Sequence, residues 1–150
     1  MGKKAINPIK NGTVIDHIPA GKAKNVWEML NLPSSEEKMF LGKNLRSKKL
    51  GKKDMLMFEN LELSLKQLNV IALIASSATI SIIKNGEITS KDQVTLPELV
   101  EKVITCPNPK CITNEEGVVT KFDVEENGDV EVRCCYCEKK YSINNVEIKM

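Results

Sequence analysis

The residues best suited to chemistry are cysteines. All five lie between Cys106 and Cys137, and the first 105 residues contain none. Cys106-x4-Cys111 is followed, after 22 residues, by Cys134-x2-Cys137. Two such pairs on tight turns, with a hairpin between them, can converge on one tetrahedral ion. Four thiolates suit Zn²⁺, with Zn–S bonds near ~2.3 Å. The segment that carries them is short and poor in large apolar side chains, so a metal is the expected support for its fold. Four protein ligands leave no open position, which points to a structural ion rather than a catalytic one. Two disulfides, or an iron site of the same geometry, are the alternatives. Cys135 sits between paired ligands and reads as a spare thiol, with a ligand swap as the sharper reading. Pro107-Asn108-Pro109-Lys110 and Glu138-Lys139-Lys140 hang from the two metal turns. They are either solvated turn residues or a rigid polar surface for another protein. Asn108, Glu138 and Lys139 are the interface candidates.

The second group is basic. Residues 1–53 carry a formal charge of +8, residues 54–105 carry −3, and residues 106–150 carry −3. The front offers Asp16-His17 at the end of an apolar run, Lys48-Lys49 and Lys52-Lys53 in a basic stretch, and Lys91 further on. Lysines arriving from separate loops onto one sheet can hold a polyphosphate as point charges. An Asp beside them can accept from a base amino group or a ribose hydroxyl. Solvated surface lysines are the plainer reading of the same residues. No Walker loop, G-x-G-x-x-G or nucleophile elbow occurs. The sequence holds one His, and no acid–base pair stands out, so an enzyme active site is not expected. Nucleic acid is disfavoured as a partner, because the cysteine-rich segment is acidic and aromatics are 4% of the chain, too few for stacking platforms.

The elements that must position these groups follow from periodicity. Thr13 to Ile18 reads as a buried strand ended by Pro19. Ala23, Val26, Trp27 and Leu30 share one helix face, and Leu32-Pro33-Ser34-Ser35 stops the helix. Lys38 to Leu45 and Met55 to Phe58 read as strands joined by a basic loop over Arg46 to Lys53. Ser64 with Gln67 forms a capping box ahead of a helix that repeats at Leu68, Ile71, Ala72 and Ala75. Thr79 to Ile83 and Glu87 to Ser90 flank Asn85-Gly86, a two-residue hairpin signal. The order is β-α-β-β-α-β with an added strand, the ferredoxin-like pattern. Leu96 to Val100 reads as a linker or a short helical turn. Val118 to Val124 and Val130 to Cys134 flank a second hairpin signal, Asn127-Gly128, and Tyr141 to Ile148 reads as a closing strand. The fold expected is α+β: a ferredoxin-like antiparallel sheet with two helices, then a small all-β zinc-binding domain. The domains are placed at 1–98 and 104–150, with 99–103 as linker. A hydrophobic share of 41% with 28% charged residues fits a globular protein. The apolar runs are too short for a membrane span, and the leader lacks a signal-peptide core, so a cytoplasmic protein is expected.

Several strings resemble the regulatory chain of aspartate carbamoyltransferase: Gly12-Thr13-Val14-Ile15-Asp16-His17-Ile18-Pro19-Ala20-Gly21, Gly51-Lys52-Lys53-Asp54 with Glu59-Asn60, and Ala78-Thr79-Ile80 with Lys91. Leu96-Pro97-Glu98, Cys106-Pro107-Asn108-Pro109-Lys110-Cys111-Ile112-Thr113-Asn114 and Cys134-Cys135-Tyr136-Cys137-Glu138-Lys139 continue the likeness in colinear order. The resemblance implies a non-catalytic subunit of an assembly of catalytic trimers and regulatory dimers. Its front would bind nucleotides, typically CTP as inhibitor and ATP as activator, and form the regulatory dimer. Its tail would be a zinc domain that docks on the catalytic chain of this pyrimidine-biosynthesis enzyme. The resemblance places Asp16 and Lys53 near ribose or base, and His17 and Lys91 near the phosphates. Ile9, Val14, Ser81, Ile83 and Ile88 would frame base or sugar. Two positions depart from the family pattern: Met57 stands where a lysine is expected, and Gly86 where an aromatic residue can contact the base. A zinc-ribbon nucleic-acid-binding protein is the alternative.

Overall fold

The computed structural model describes residues 9–30, 32 and 37–149. The leader before Ile9 and the helix stop at 33–35 lie outside the described residues. The first half is a five-stranded antiparallel sheet, in spatial order β2-β3-β1-β4-β5. Its strands are β1 (Gly12–Pro19), β2 (Met39–Ser47), β3 (Gly51–Glu59), β4 (Thr79–Lys84) and β5 (Glu87–Gln93). Helices α1 (Ala23–Leu30) and α2 (Leu65–Ile74) cross between them, and the expected ferredoxin-like pattern with an added edge strand is present. The Asn85-Gly86 turn has φ of 53° and 82° at its two central residues. Both are left-handed, as a two-residue hairpin that matches strand twist requires.

Alternation along the strands divides this sheet into two faces. Ile15, Ile18, Leu56, Phe58 and Ile80 pack under α1 and α2 with Ala23, Val26, Leu30, Ile71 and Ala75. Trp27, on the edge of the helical stripe, is 37% exposed and stacks on Phe58, with centroids 6.0 Å apart. The opposite face carries Ile9, Val14 and Ile83, packed with Met55 and Met57. The expected capping box at Ser64 is formed: Gln67 N–H donates to Ser64 Oγ, and Ser64 N–H donates to Gln67 Oε1. The expected basic loop at Arg46 to Lys53 is shorter. Leu45 pairs with Lys53, Arg46 with Lys52 and Ser47 with Gly51, so the hairpin zips up to a turn at 48–50. Leu50 N–H bonded to Ser47 Oγ and Gly51 at φ 81° close that turn.

The second half is built on a four-stranded sheet, ordered β10-β9-β8-β6, and a two-stranded sheet pairing β11 with β7. Its elements are β6 (Leu99–Glu101), β7 (Ile104–Thr105), α3 (Ile112–Glu115), β8 (Lys121–Asn127), β9 (Asp129–Cys134), β10 (Lys140–Ser142) and β11 (Glu147–Ile148). Two expectations change here. Leu99–Glu101, expected within a linker at 99–103, is a strand paired along β8, because Val100 sits opposite Phe122 and is buried. The closing strand expected over Tyr141 to Ile148 is broken by a 3₁₀ turn at Ile143–Asn145, which Ser142 Oγ caps by accepting from Asn144 N–H. Fully buried Phe122 belongs to the core here, with Val103, Ile104, Val132 and Ile143.

That core is not closed by its own segment. Val70 and Leu73 of α2 belong to it, while Ile71 of the same helix and Ala75, which caps its C-terminus, belong to the first core. Helix α2 is thus apolar on both sides, with Val70 through Leu73 buried in succession, and one rigid element is shared by the two halves. No described helix is long and apolar enough to cross a membrane.

Candidate functional site

The sheet face that the helices leave uncovered gathers the candidate nucleotide-binding residues, and strand register dictates why. Residues directly opposite one another in an antiparallel pair share a face. Val14 pairs with Met57 on one side and Ser81 on the other, Ser81 pairs with Lys91, and Ile83 pairs with Ile88. Val14, Ser81, Ile83, Ile88 and Lys91 therefore share one face, which Ile9 joins by packing on Val14 and Ile83. Lys91 is exposed and Ile88 is 57% exposed, so the β5 side of this face is open.

Asp16, His17 and Lys53 meet at the end of the face, at a β-bulge. Pairing of β1 with β3 jumps from Ile15↔Leu56 to Ile18↔Asp54, so Asp16 and His17 together oppose Met55. His17 takes the left-handed conformation, φ 57°, which is uncommon for a non-glycine residue. Three bonds hold it there. Its N–H donates to Asp16 Oδ1 at 2.7 Å, its carbonyl accepts from Ser77 Oγ at 2.7 Å, and its Nδ1 lies 3.0 Å from Thr79 Oγ1. Strain at such a residue persists where surroundings over-determine it, a feature common in binding sites. Asp16 is also paired with Lys53, Nζ to Oδ1 2.9 Å, with the two side chains 19% and 16% exposed. The arrangement presents a cation, a carboxylate and an imidazole beside an apolar strip, which suits a ligand with both a flat apolar part and an anionic tail. Ser77 and Thr79 were not among the sequence candidates; Thr79 lies in the Ala78-Thr79-Ile80 string, but its bond to a ring 62 residues away is a product of the β1–β4 register.

Further along the chain lies the cysteine cluster. The ligand atoms of Cys106, Cys111, Cys134 and Cys137 all lie within 4.8 Å of one another. Sγ of Cys106 and Cys137 are 3.7 Å apart, as are those of Cys111 and Cys134. A tetrahedron with ~2.3 Å metal–sulfur bonds has edges of about 3.8 Å, whereas a disulfide needs sulfurs about 2.05 Å apart. The donor set and its spacing fit zinc. Both turns are built from inside. Asn114 Nδ2 donates to the carbonyls of Cys106 and Asn108, and Asn108 Oδ1 accepts from Lys110 N–H. Glu138 N–H donates to the Cys134 carbonyl, with Glu138 left-handed at φ 65°.

Burial pushes the Cys106 thiol up to about 12, against a backbone hydrogen bond at Asn108. Burial acts the same way on Cys111, but the hydroxyl and backbone of Thr113, with neighbouring thiols, bring it down to about 7. Cys134 is raised, chiefly by burial, and Cys137 is lowered because hydrogen bonds to Lys139 and Asn108 outweigh its burial. Thr113, which lowers the Cys111 thiol, and Asn114, which ties the first turn together, lie in α3, a turn that the periodicity of the sequence does not mark. Cys135 is exposed and stands outside the four-sulfur cluster. Asn108 is half-buried, with its side chain engaged in its own turn, whereas Glu138 and Lys139 are exposed.

Comparison with known proteins agrees with this two-part arrangement. Residues 4–95 match the model for the allosteric domain of the aspartate carbamoyltransferase regulatory chain, and residues 98–147 match the model for its metal-binding domain. Curated regulatory chains of aspartate carbamoyltransferase are similar along most of their length. That of Methanococcus vannielii is 46% identical over 134 residues, covering 89% of this chain and 90% of its own. That of Pyrococcus horikoshii is 46% identical over 141 residues, covering 93% of each. That of Methanocaldococcus jannaschii is 44% identical over 139 residues, again covering 93% of each. The chain belongs to the aspartate carbamoyltransferase regulatory-chain family, and is a non-catalytic subunit with an allosteric domain followed by a domain that binds a structural zinc ion.

Proposed function

We propose that the uncovered sheet face binds nucleoside triphosphates such as CTP and ATP, and that their binding controls a carbamoyltransferase catalytic chain docked on the zinc domain. The observation that carries this reading is the convergence at the bulge: Asp16, His17 and Lys53, with Thr79, brought together by strands far apart in sequence. Asp16 and Lys53 face sugar or base, His17 and Lys91 meet the phosphates, and Ile9, Val14, Ser81, Ile83 and Ile88 frame the flat part. Cys106, Cys111, Cys134 and Cys137 hold the zinc, and the turns carrying Asn108, Glu138 and Lys139 dock on the catalytic chain. Helix α2, shared by both cores, is the element through which the two ends communicate. A regulatory dimer within a cytoplasmic hetero-oligomer completes the reading, with the functional boundary between the domains falling near residues 95–98.

Ligand control requires that nucleotide favour one state of the assembly over another. Titration calorimetry of the zinc-loaded chain with CTP and ATP tests the binding step. Heat of binding at millimolar nucleotide or below is expected, and its absence for both removes the nucleotide assignment. Met57→Lys restores a cation beside Val14 and should tighten binding by about 1–2 kcal/mol, the size of one charge-assisted hydrogen bond.

A further inference from the structure

Asp54 is adjacent to the candidate site but takes no part in it. It is fully buried, a rare state for a carboxylate that needs hydrogen bonds to be tolerable. Strand alternation turns its side chain to the helix-covered face, away from that of Lys53. Three backbone N–H groups converge on it. Oδ2 accepts from Gly21 at 2.9 Å and Ala23 at 3.2 Å, and Oδ1 accepts from Asn44 at 3.0 Å. Ala23 opens α1, whose first turn has no acidic residue of its own. The carboxylate thus satisfies an orphan N–H at the helix start, where negative charge is favoured.

The three donors belong to the segments that could let the site drift. Gly21 and Ala23 follow directly from β1, four and six residues after His17. Asn44 lies in a second bulge, where the β2–β3 pairing jumps from Gly42↔Met55 to Leu45↔Lys53. The left-handed residues of the two bulges, His17 and Asn44 at φ 57° and 56°, therefore flank β3 on either side of Asp54. Lys53, the residue before Asp54, projects to the other face and reaches Asp16.

We infer that Asp54 is the positioning residue of the nucleotide face: its carboxylate locks the β1–α1 turn and the β2 bulge onto β3, and so fixes where Asp16, His17 and Lys53 stand. This rests on the nucleotide reading above. Asp54→Asn keeps the shape but puts an amide where only acceptors fit. Gly21→Ala is the milder second variant. A Cβ there meets nothing within 4 Å, but φ is 93°, so it strains the same turn without changing any charge or the carboxylate.

The sequence has a single His, so its ring resonances report the bulge without ambiguity. The test uses the zinc-loaded full chain at a temperature where every variant is folded, reading the His17 ring signals by NMR and CTP affinity by calorimetry. Both variants should move the His17 signals. Asp54→Asn should weaken CTP at least about tenfold, the loss expected when one charge-assisted contact is displaced, and Gly21→Ala less. If Asp54→Asn does not fold, Gly21→Ala decides alone. Unmoved His17 signals, or CTP affinity within twofold of wild type, would reduce Asp54 to a fold pin whose loss lowers only the melting temperature. Wild-type protein that binds no CTP would overturn the nucleotide reading instead, and the His17 signals would still judge the role of Asp54.

Discussion

Lys53 Nζ and Asp16 Oδ1 stand 2.9 Å apart across the β1–β3 bulge, each side chain less than one-fifth exposed. In a flat, regular ladder these residues would be out of step. The bulge bends β1 so that a carboxylate two residues beyond Val14 meets a lysine that is paired by register with Pro19. Removing one partner from such a shielded pair leaves the other uncompensated. Lys53→Ala should therefore lower stability by about 1–3 kcal/mol as well as weakening CTP. Urea denaturation beside calorimetry checks both, and unchanged stability would mean that the pair is solvated in solution.

Lys91 differs in kind. It is exposed on β5, opposite Ser81, and a charge in that setting is screened by salt. Lys91→Ala should weaken CTP by about twofold to fivefold at low salt while leaving cytidine unchanged, and raising the salt should erase the difference. Equal loss for the nucleoside and the triphosphate would place Lys91 away from the phosphates.

Much of this arrangement is legible in the sequence. The helix at Ala23, the capping box at Ser64 and the Asn85-Gly86 hairpin each rest on local rules, and local rules survive folding. The four-cysteine cluster was readable because ligand spacing encodes it. What escaped the reading was non-local. The bulge that turns His17 left-handed depends on how two strands count against one another, and nothing in the run Thr13 to Ile18 marks it. The second buried face of α2, at Val70 and Leu73, has meaning only once a second domain lies against it. Leu99–Glu101 follows Pro97 after a single residue and is too short to show alternation, so its pairing with β8 is not visible in the sequence.

Zinc should be present at one ion per chain and should leave with chelator. Structural zinc contributes roughly 10–16 kcal/mol of apparent binding energy in small peptides. Its removal should unfold the cysteine-bearing half and expose Val70 and Leu73, so the sheet domain should survive with a lowered melting temperature. Cys111→Ser should reproduce this effect, and Cys135→Ser should not. The metal-free thiols of Cys106 and Cys134 are held protonated by burial, whereas zinc binds the thiolate. Zinc uptake near neutral pH should therefore release protons, and affinity should fall as pH falls. A competition titration at several pH values checks the sign, and pH-independent affinity would argue against thiolate ligation.

The proposed docking surface is tested by exchanging the exposed charges of Glu138 and Lys139 as a Glu138→Lys, Lys139→Glu double variant. Both lie just beyond Cys137 on the second metal turn, where the backbone is fixed by the Glu138 N–H to Cys134 bond. Assembly with the catalytic chain, followed by analytical ultracentrifugation, should weaken about tenfold or more, the loss expected when complementary charges are reversed. CTP binding to the separate chain should stay intact. Loss of both together would indicate a folding defect rather than an interface.

The most direct measurement is the substrate saturation curve of the enzyme assembled from this chain and a catalytic chain, recorded with and without CTP or ATP. Assembly with the wild-type chain should give a curve that shifts with nucleotide. Assembly with Asp16→Ala should give the same enzyme, by size and zinc content, with a curve that no longer responds. A wild-type curve that superimposes with and without either nucleotide, in an enzyme shown to be fully assembled, would contradict the account.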